Sequence, residues 1–231
     1  SFTSDPDSLD SDAGIPEAWV PPLRRRLGTS DIAKGSFLFN CRNISSWREH
    51  APDFLGMDCH GFGFQEHLVS DSRKLEAVQQ ASTAGWCARF SGLDANKIHA
   101  AGGVGQMVRK PYNLVQCLPL TKRFGDALAT GKCGKYEQDM GAKVGMMSYN
   151  MYGETNGTNS SKAAAITEEL ARAVWGEICA SPDGPCMIYG DINADPSDIP
   201  TLQTMLASRA WFDLGAIGSN WGNLDNEFTC I

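Results

Sequence analysis

The sequence has no apolar run long enough to cross a membrane, which would require about 18 consecutive apolar residues. It has no CxxC pair among its eight cysteines, whose scattered positions disfavour a zinc site or a dense disulfide scaffold. Residues 1–22 lack the charged segment followed by an apolar one that is typical of a secretory signal. These absences predict an intracellular protein with reduced cysteines and no membrane partner. With 231 residues and 42% hydrophobic content, one sizeable core is expected.

Basic residues are absent from the first twenty positions, which carry five acidic residues. We expect residues 1–34 to be an acidic, poorly ordered lead-in to the folded domain. Residues 103–143 contain seven basic residues against three acidic ones, whereas residues 144–231 contain eleven acidic against three basic. A basic surface beside an acidic region would suit a phosphate backbone next to a metal centre. The same charges also fit ordinary solvated faces, and both interpretations stay open at this point.

Apolar strand patterns alternate with helical patterns along the chain. The predicted strands occupy 35–41, 59–67, 102–110, 143–152 and 186–190, and the predicted helices occupy 71–82, 162–179 and 199–208. Ser160 or Ser161 is the N-cap candidate of the second helix, and Ser197 or Asp198 of the third. Strands separated by single helices imply a layered α/β fold.

Polar side chains stand where four of the predicted strands end. They are Asn40, Glu66, Tyr152 and the pair Asp191 and Asn193. Strand ends often carry chemistry, and carboxylate and amide oxygens suit a hard cation such as Mg²⁺. On an extended segment Asp191 and Asn193 would project to the same side. Asp191 could then orient or deprotonate a water while Asn193 donates to a phosphate oxygen.

Each of these residues also has a purely structural explanation. Asp191 and Asn193 after a strand are typical of an Asx-turn or a helix cap. Glu66 fits a solvated carboxylate, Tyr152 a core aromatic with a satisfied hydroxyl, and Asn40 a turn residue. Their joint order along the chain, rather than any one of them, favours a common site.

That order resembles the successive motifs of the endonuclease/exonuclease/phosphatase superfamily, the fold of deoxyribonuclease I and apurinic endonucleases. The motifs in this chain are LFNCRN, FQEH, GGVGQMVRK, NMYGETN and IYGDINADP. The asparagine followed by Cys-Arg-Asn and the GGV…VRK strand are most similar to the endonuclease domains of non-LTR, LINE-type retroelements. The resemblance covers residues 35–231. It implies a four-layered α/β sandwich, in which two packed mixed β-sheets are flanked by helices.

The resemblance implies a role for each strand-end residue. Glu66 corresponds to a metal-binding glutamate and Asn40 to the asparagine beside the metal, with Mg²⁺ or alternatively Mn²⁺ as cofactor. Tyr152 corresponds to a tyrosine that contacts the scissile phosphate. Asp191 corresponds to the aspartate that aligns the attacking water, and Asn193 to the asparagine that stabilises the transition state. The implied reaction is metal-assisted, in-line phosphodiester hydrolysis without a covalent enzyme intermediate.

Three further residues are expected to contact the phosphate backbone of DNA or RNA. Asn156 corresponds to an asparagine just beyond the tyrosine, although the spacing here is one residue longer. Arg109 and Lys110 begin the basic stretch of the chain. A retroelement origin would further imply a nuclear location and a reverse transcriptase downstream on the same polyprotein.

The C-terminal motif of the superfamily has no counterpart in this sequence. Relatives end with an Arg-Ile-Asp-type strand and a Ser-Asp-His triplet, whereas this chain ends at EFTCI. None of His50, His60, His67 and His99 stands in a matching motif, and His67 should face away from its neighbour Glu66. We therefore expect the domain to lack its last strands. Three functions stay open: a Mg²⁺-dependent DNA endonuclease, an inactive remnant that retains nucleic-acid binding, and a phosphatase on small esters such as phosphoinositides.

Overall fold

Two four-stranded mixed sheets form the centre of the computed structural model, which describes residues 37–94, 102–139, 145–155, 157–181 and 184–214. The first sheet contains β1 (Phe39–Asn43), β2 (Gly61–Gln65), β3 (Trp86–Phe90) and β4 (Val104–Arg109), in the order β1-β2-β4-β3. The second contains β5 (Leu114–Gln116), β6 (Cys133–Asp139), β7 (Gly145–Tyr152) and β8 (Cys186–Asp191), in chain order. The pairs β1 with β2 and β7 with β8 are parallel, and the other neighbouring strands are antiparallel.

Helices cover the outer faces of both sheets. In the described residues, α1 (Trp47–Leu55) and α2 (Lys74–Thr83) lie on the first sheet, and α3 (Lys122–Ala129), α4 (Ser161–Ala180) and α5 (Pro200–Ala207) on the second. All of these elements belong to one compact unit, Ala33–Phe212. The arrangement confirms the predicted α/β sandwich of two mixed sheets flanked by helices.

Apolar side chains explain how the helices attach to the sheets. Phe62 and Phe64 alternate along β2 onto its outer face, where their rings stack on Phe54 of α1 with centroids 5.5 and 6.5 Å apart. On the other side, α4 buries Leu170 and Val174 against the second sheet. The sequence patterns that predicted β2 and α4 are therefore the patterns of their buried faces.

Several elements differ from the sequence prediction. β1 does not end at Asn40 but continues to Asn43. The pattern of α1 was missed because Pro52 lies inside it, and that of β6 because charged residues interrupt its apolar pattern. The predicted caps of the third helix are also wrong. Asp195 instead caps the short 3-10 turn Pro196–Asp198, and Pro200 starts α5.

The layer between the two sheets contains buried polar side chains beside an apolar cluster that includes Val108 and Tyr136. Five side chains in it are fully buried and hydrogen-bonded, namely Gln65, Gln106, Gln138, Ser148 and Asn150. Buried amides of this kind stabilise one sheet-to-sheet arrangement, because any other would leave polar groups without partners.

Two further observations bear on the early expectations. No helix in the described part of the chain has the length and apolar character needed to span a membrane. None of the seven cysteines in the described ranges forms a disulfide bond. The lead-in, residues 1–34, lies outside the described residues, so the boundary at residue 35 stays a prediction.

Candidate active site

Three strands of the two sheets bring their carboxyl ends to one place. β7 and β8 are parallel, and Tyr152 stands directly opposite Asp191 at the end of both strands. Glu66 directly follows β2 in the other sheet. The hydroxyl of Tyr152 donates a hydrogen bond to the carboxylate of Glu66. The structure thus brings together three residues that stand far apart in the sequence.

A second hydrogen bond joins the sheets at the same end. The side-chain amide of Asn43 donates to Oδ2 of Asp191, with a nitrogen-to-oxygen distance of 3.1 Å. Asn43 is the last residue of β1 and pairs with Gln65, the residue before Glu66. The asparagine that closes the first strand at this site is therefore Asn43.

Asn40, the asparagine predicted for this position, lies three residues earlier. Its side chain is exposed, and its Oδ1 accepts from the backbone N–H of Cys41 at 2.8 Å. It makes no contact with Glu66 or Asp191 among the contacts of the described residues. The signal that was missed is the second asparagine of LFNCRN, which is the last residue of β1.

Two site residues have unusual backbone conformations. Glu66 and Asn193 have φ values of 56° and 53°, in the left-handed region that non-glycine residues rarely adopt. Such conformations cost roughly 1–3 kcal/mol and concentrate at functional sites. We predicted that Asp191 and Asn193 would lie on one extended segment. That prediction is wrong, because β8 ends at Asp191. Instead Nδ2 of Asn193 donates to the carbonyl oxygen of Gly153 at 3.3 Å.

The residue directly before Asp191 must be glycine because the backbone of β7 lies too close for a side chain. The φ of Gly190 is 144°, and a Cβ at this position would lie 1.8 Å from the carbonyl oxygen of Met151 in β7. The two strands approach each other closely at this point, which only glycine permits. Asp191 and its neighbour Tyr152 consequently leave their strands side by side.

A shallow cavity of about 130 Å³ opens beside Glu66 and Tyr152. Its lining consists of Glu66, Asp94, Gly102, Thr130, Lys132, Tyr152, Glu154 and Thr155. Burial, followed by the hydrogen bond to Glu66, raises the pKa of the Tyr152 hydroxyl well above its usual range. Tyr152 therefore keeps its proton at neutral pH and acts as a hydrogen-bond donor.

The structure places Arg109 away from this site. Val104 at the start of β4 pairs with Gln65, so Arg109 at the end of β4 is displaced from the site by roughly 17 Å along the strand. Its guanidinium donates to the carbonyl oxygens of Met57 at 2.7 Å and Ala84 at 2.9 Å. The position of Arg109 therefore does not agree with the prediction that it contacts substrate. Its hydrogen bonds give it a structural role.

Lys110 follows β4 at the same end, away from the site, and its side chain is hydrogen-bonded there. Its Nζ donates to Oγ of Ser82 at 2.9 Å and to the carbonyl oxygen of the same residue at 3.2 Å. Asn156, the third predicted substrate contact, lies outside the described residues.

The basic residues of 103–143 do not form one surface in the described part of the chain. Lys122 pairs with Asp126 at 2.6 Å on the exposed face of α3. Lys135 is buried and pairs with the fully buried Glu177 at 2.7 Å. Lys132 is the member of this group that reaches the cavity. The charge distribution along the sequence predicted one basic surface, but in the folded chain these basic side chains lie in several separate places.

His67 is a core residue. It is 1% exposed, its ring packs against Phe64 and Phe90, and its Nδ1 accepts from the backbone N–H of Val69 at 2.9 Å. Burial lowers the pKa of this imidazole to about 3. A neutral, enclosed ring of this kind does not substitute for a catalytic histidine.

The donor set at the strand ends consists of oxygen atoms. Glu66 is partly exposed on the cavity, and the carboxylates of Asp94 and Glu154 lie on the same lining. Within the described residues, no three His, Cys, Asp or Glu side chains converge closely enough to form a metal cluster. One or two carboxylates with waters and substrate phosphate are the usual ligands of Mg²⁺, so the donor chemistry fits a hard divalent cation.

Solved structures with a similar fold include two AP endonucleases. The AP endonuclease from Archaeoglobus fulgidus matches with a TM-score of 0.55 and 12% identity, over 75% of this chain and 71% of that one. The AP endonuclease LMAP from Leishmania major matches with a TM-score of 0.54 and 12% identity, over 74% of this chain and 59% of that one. No family model and no curated protein matches the sequence. The chain therefore has a fold similar to that of these two AP endonucleases.

Proposed function

We propose that this site hydrolyses phosphodiester bonds of DNA with the help of a divalent metal ion, so that the chain acts as an endonuclease. The observation that carries the proposal is the pair of hydrogen bonds between the sheets, from Tyr152 to Glu66 and from Asn43 to Asp191. They place two carboxylates, a protonated phenol and an amide at one end of the fold. A retroelement origin has support only from the sequence motifs.

Glu66 would hold the cation, with Mg²⁺ as the first choice. When bound, a divalent ion neutralises charge on the phosphate and on its transition state. Glu66 suits this role because it is partly exposed on the cavity and because Tyr152 donates to only one of its oxygens. The left-handed backbone at Glu66 marks the point where the chain leaves β2.

Asp191 is the group that orients and deprotonates the attacking water. The amide of Asn43 donates to one of its oxygens, which holds the orientation of the carboxylate. Water would attack phosphorus from the side opposite the leaving oxygen, with its proton passing towards Asp191. The bond from phosphorus to the leaving oxygen then breaks, and that oxygen takes up a proton from solvent.

Asn193 and Tyr152 supply the hydrogen-bond donors. The Asn193 amide lies at 3.3 Å from the carbonyl of Gly153, a long bond that a phosphate oxygen can replace. Tyr152 remains protonated, so it does not attack phosphorus. Its one proton, donated to Glu66 in this structure, would turn to a phosphate oxygen when substrate binds. Preorganised donors of this kind stabilise the charge that develops in the transition state.

Nicking of supercoiled plasmid DNA tests the proposal. We expect nicking that requires Mg²⁺, is abolished by chelation and falls by about 100-fold or more in Asp191→Asn, which preserves shape and removes charge. Equal nicking by wild type and variant would refute the role of the site. Release of phosphate from small monoesters without nicking would support the phosphatase alternative, and DNA binding without cleavage would support the inactive remnant.

A further inference from the structure

Lys132 is the one basic side chain among the described residues that line the cavity. It directly precedes β6, and its side chain is only 14% exposed. Its Nζ forms an ion pair with Glu154 and lies 5.7 Å from the centre of the Tyr152 ring. An ammonium group is thus held beside the proposed catalytic tyrosine.

Backbone hydrogen bonds fix the position of both members of this pair. The carbonyl oxygen of Lys132 accepts from the backbone N–H of Tyr152 at 2.7 Å. The backbone N–H of Glu154 donates to Oγ1 of Thr167 in α4 at 2.9 Å. The pair is therefore attached to the same strand ends that carry the site, and not to a solvated loop tip.

The other charges of the cavity make Lys132 important for an anionic ligand. Glu66, Asp94 and Glu154 all contribute carboxylates to the lining, and each would repel a phosphate. An ammonium group in a half-enclosed cavity is the natural partner of a phosphate oxygen, because charge-assisted hydrogen bonds are the strongest available there. In this structure Glu154 is the ion-pair partner of that ammonium group.

We propose that Lys132 binds a phosphate oxygen of the substrate and that Glu154 is a competing anion, which releases Lys132 when phosphate binds. The proposal rests on the function proposed above. Glu154 has a side-chain exposure of 30%, so its carboxylate can return to water when it is displaced. The exchange replaces one ion pair by another, and Glu154 thereby lowers the affinity of the cavity for anions.

Anion binding by variants of Lys132 and Glu154 distinguishes the proposed exchange from a purely structural ion pair. If the pair served only stability, removal of either member would weaken the site in the same direction. Under the exchange proposed here, the two removals have opposite effects on anion binding. Loss of Lys132 removes the binding group, whereas loss of the Glu154 charge removes its competitor.

Titration with inorganic phosphate, followed by NMR without added metal, tests the proposal on the whole chain. We expect binding to weaken about tenfold or more in Lys132→Met, which retains the apolar stem of the side chain. Lys132→Arg should recover much of that loss, and Glu154→Gln should bind phosphate more tightly than wild type. Lys122→Met is the matched control, because Lys122 is 89% exposed and pairs with Asp126 away from the cavity.

The outcomes separate this inference from the proposed hydrolase. Equal phosphate binding by wild type and Lys132→Met, no binding by wild type, or weaker binding in both single variants would each overturn it. Thermal unfolding of every variant verifies that the fold is retained. Phosphate binding that depends on Lys132, together with absence of plasmid nicking, would support the anion site and refute the nuclease.

Discussion

The side-chain amide of Gln65 donates to Oδ1 of Asn150 at 2.6 Å, in the layer between the two sheets where both residues are fully buried. Gln65 directly precedes Glu66, and Asn150 lies two residues before Tyr152. The bond therefore connects the two strands immediately before the residues that meet at the site. This hydrogen bond therefore fixes the distance between Glu66 and Tyr152.

Asn150→Leu should lower both stability and catalysis. Asn150 also donates to the backbone carbonyls of Phe64 at 3.0 Å and Gly105 at 2.9 Å, so the variant leaves several buried polar groups without partners. We expect unfolding free energy to fall by about 2–4 kcal/mol. We also expect a lower kcat with little change in KM, measured by urea unfolding and steady-state nicking.

The control for that variant is Gln138→Met. Gln138 is buried in the same layer and accepts from Gln106. It should lose stability while the kcat of the folded fraction is unchanged. If both variants lowered kcat equally, Asn150 would have only a structural role.

Substitution of two nearby asparagines tests the sequence-based prediction of Asn40 against the structural assignment of Asn43. Asn43→Ala removes the amide that holds Asp191 and should lower kcat by about tenfold or more, as loss of a positioning hydrogen bond does. Asn40→Ala removes an exposed side chain bonded to its neighbouring backbone and should leave kcat unchanged. The opposite ranking, measured by nicking rates of the two variants, would restore Asn40 as the site residue.

Arg109→Met should affect stability and not DNA binding. Arg109 donates to the carbonyls of Met57 and Ala84 and lies over the Trp86 ring at 4.1 Å. Its loss leaves carbonyl oxygens without a partner, so the unfolding free energy should fall by about 2–3 kcal/mol. The slope of DNA affinity against salt should stay as in wild type, because no phosphate contact is removed. A slope reduced by about one would show that Arg109 binds phosphate after all.

Acid should destabilise the protein through His67. Its folded-state pKa is lowered to about 3, whereas an unfolded histidine titrates near its usual value of about 6.5. The unfolded state therefore binds the proton first. Stability is fully present above about pH 6.5 and is lost as the pH falls towards 3, by about 1.4 kcal/mol per pH unit at most.

Denaturant unfolding between pH 7.5 and pH 4.5 measures this effect. His67→Asn keeps an acceptor for the Val69 N–H, and it should be less stable at neutral pH but lose less stability on acidification. His50→Gln is the control for loss of an exposed imidazole. An unchanged pH slope in His67→Asn would assign the acid sensitivity to other groups.

Local patterns predicted much of the fold. The apolar repeat and the serine cap of α4 gave the second helix to within about one residue of Ser161–Ala180, because both signals come from neighbouring residues. Phe62 and Phe64 similarly predicted β2. Where charges or a proline interrupted the pattern, as in β6 and α1, the elements were missed.

The residues at the site were harder to predict because their positions depend on distant strands. LFNCRN contains two asparagines, and only the parallel register that pairs Asn43 with Gln65 decides which one reaches Asp191. Sequence spacing cannot show that register, since it depends on how β1 aligns with β2. Lys132 and Glu154 were missed for the same reason. Lys132 belongs to no motif, and Glu154 lies within NMYGETN, but sequence spacing does not show that their two side chains meet.

By itself the sequence determined some of the strands and helices, including β2 and α4, and that Glu66, Tyr152 and Asp191 stand at strand ends. Those features follow from periodicity and turn chemistry over a few residues. Only the tertiary structure decided which side chains meet, with Asn43 at the site, Arg109 in a structural role and Lys132 in the cavity. The physical reason is that buried hydrogen bonds between residues far apart in the chain, such as Gln65 with Asn150, set how the two sheets pack.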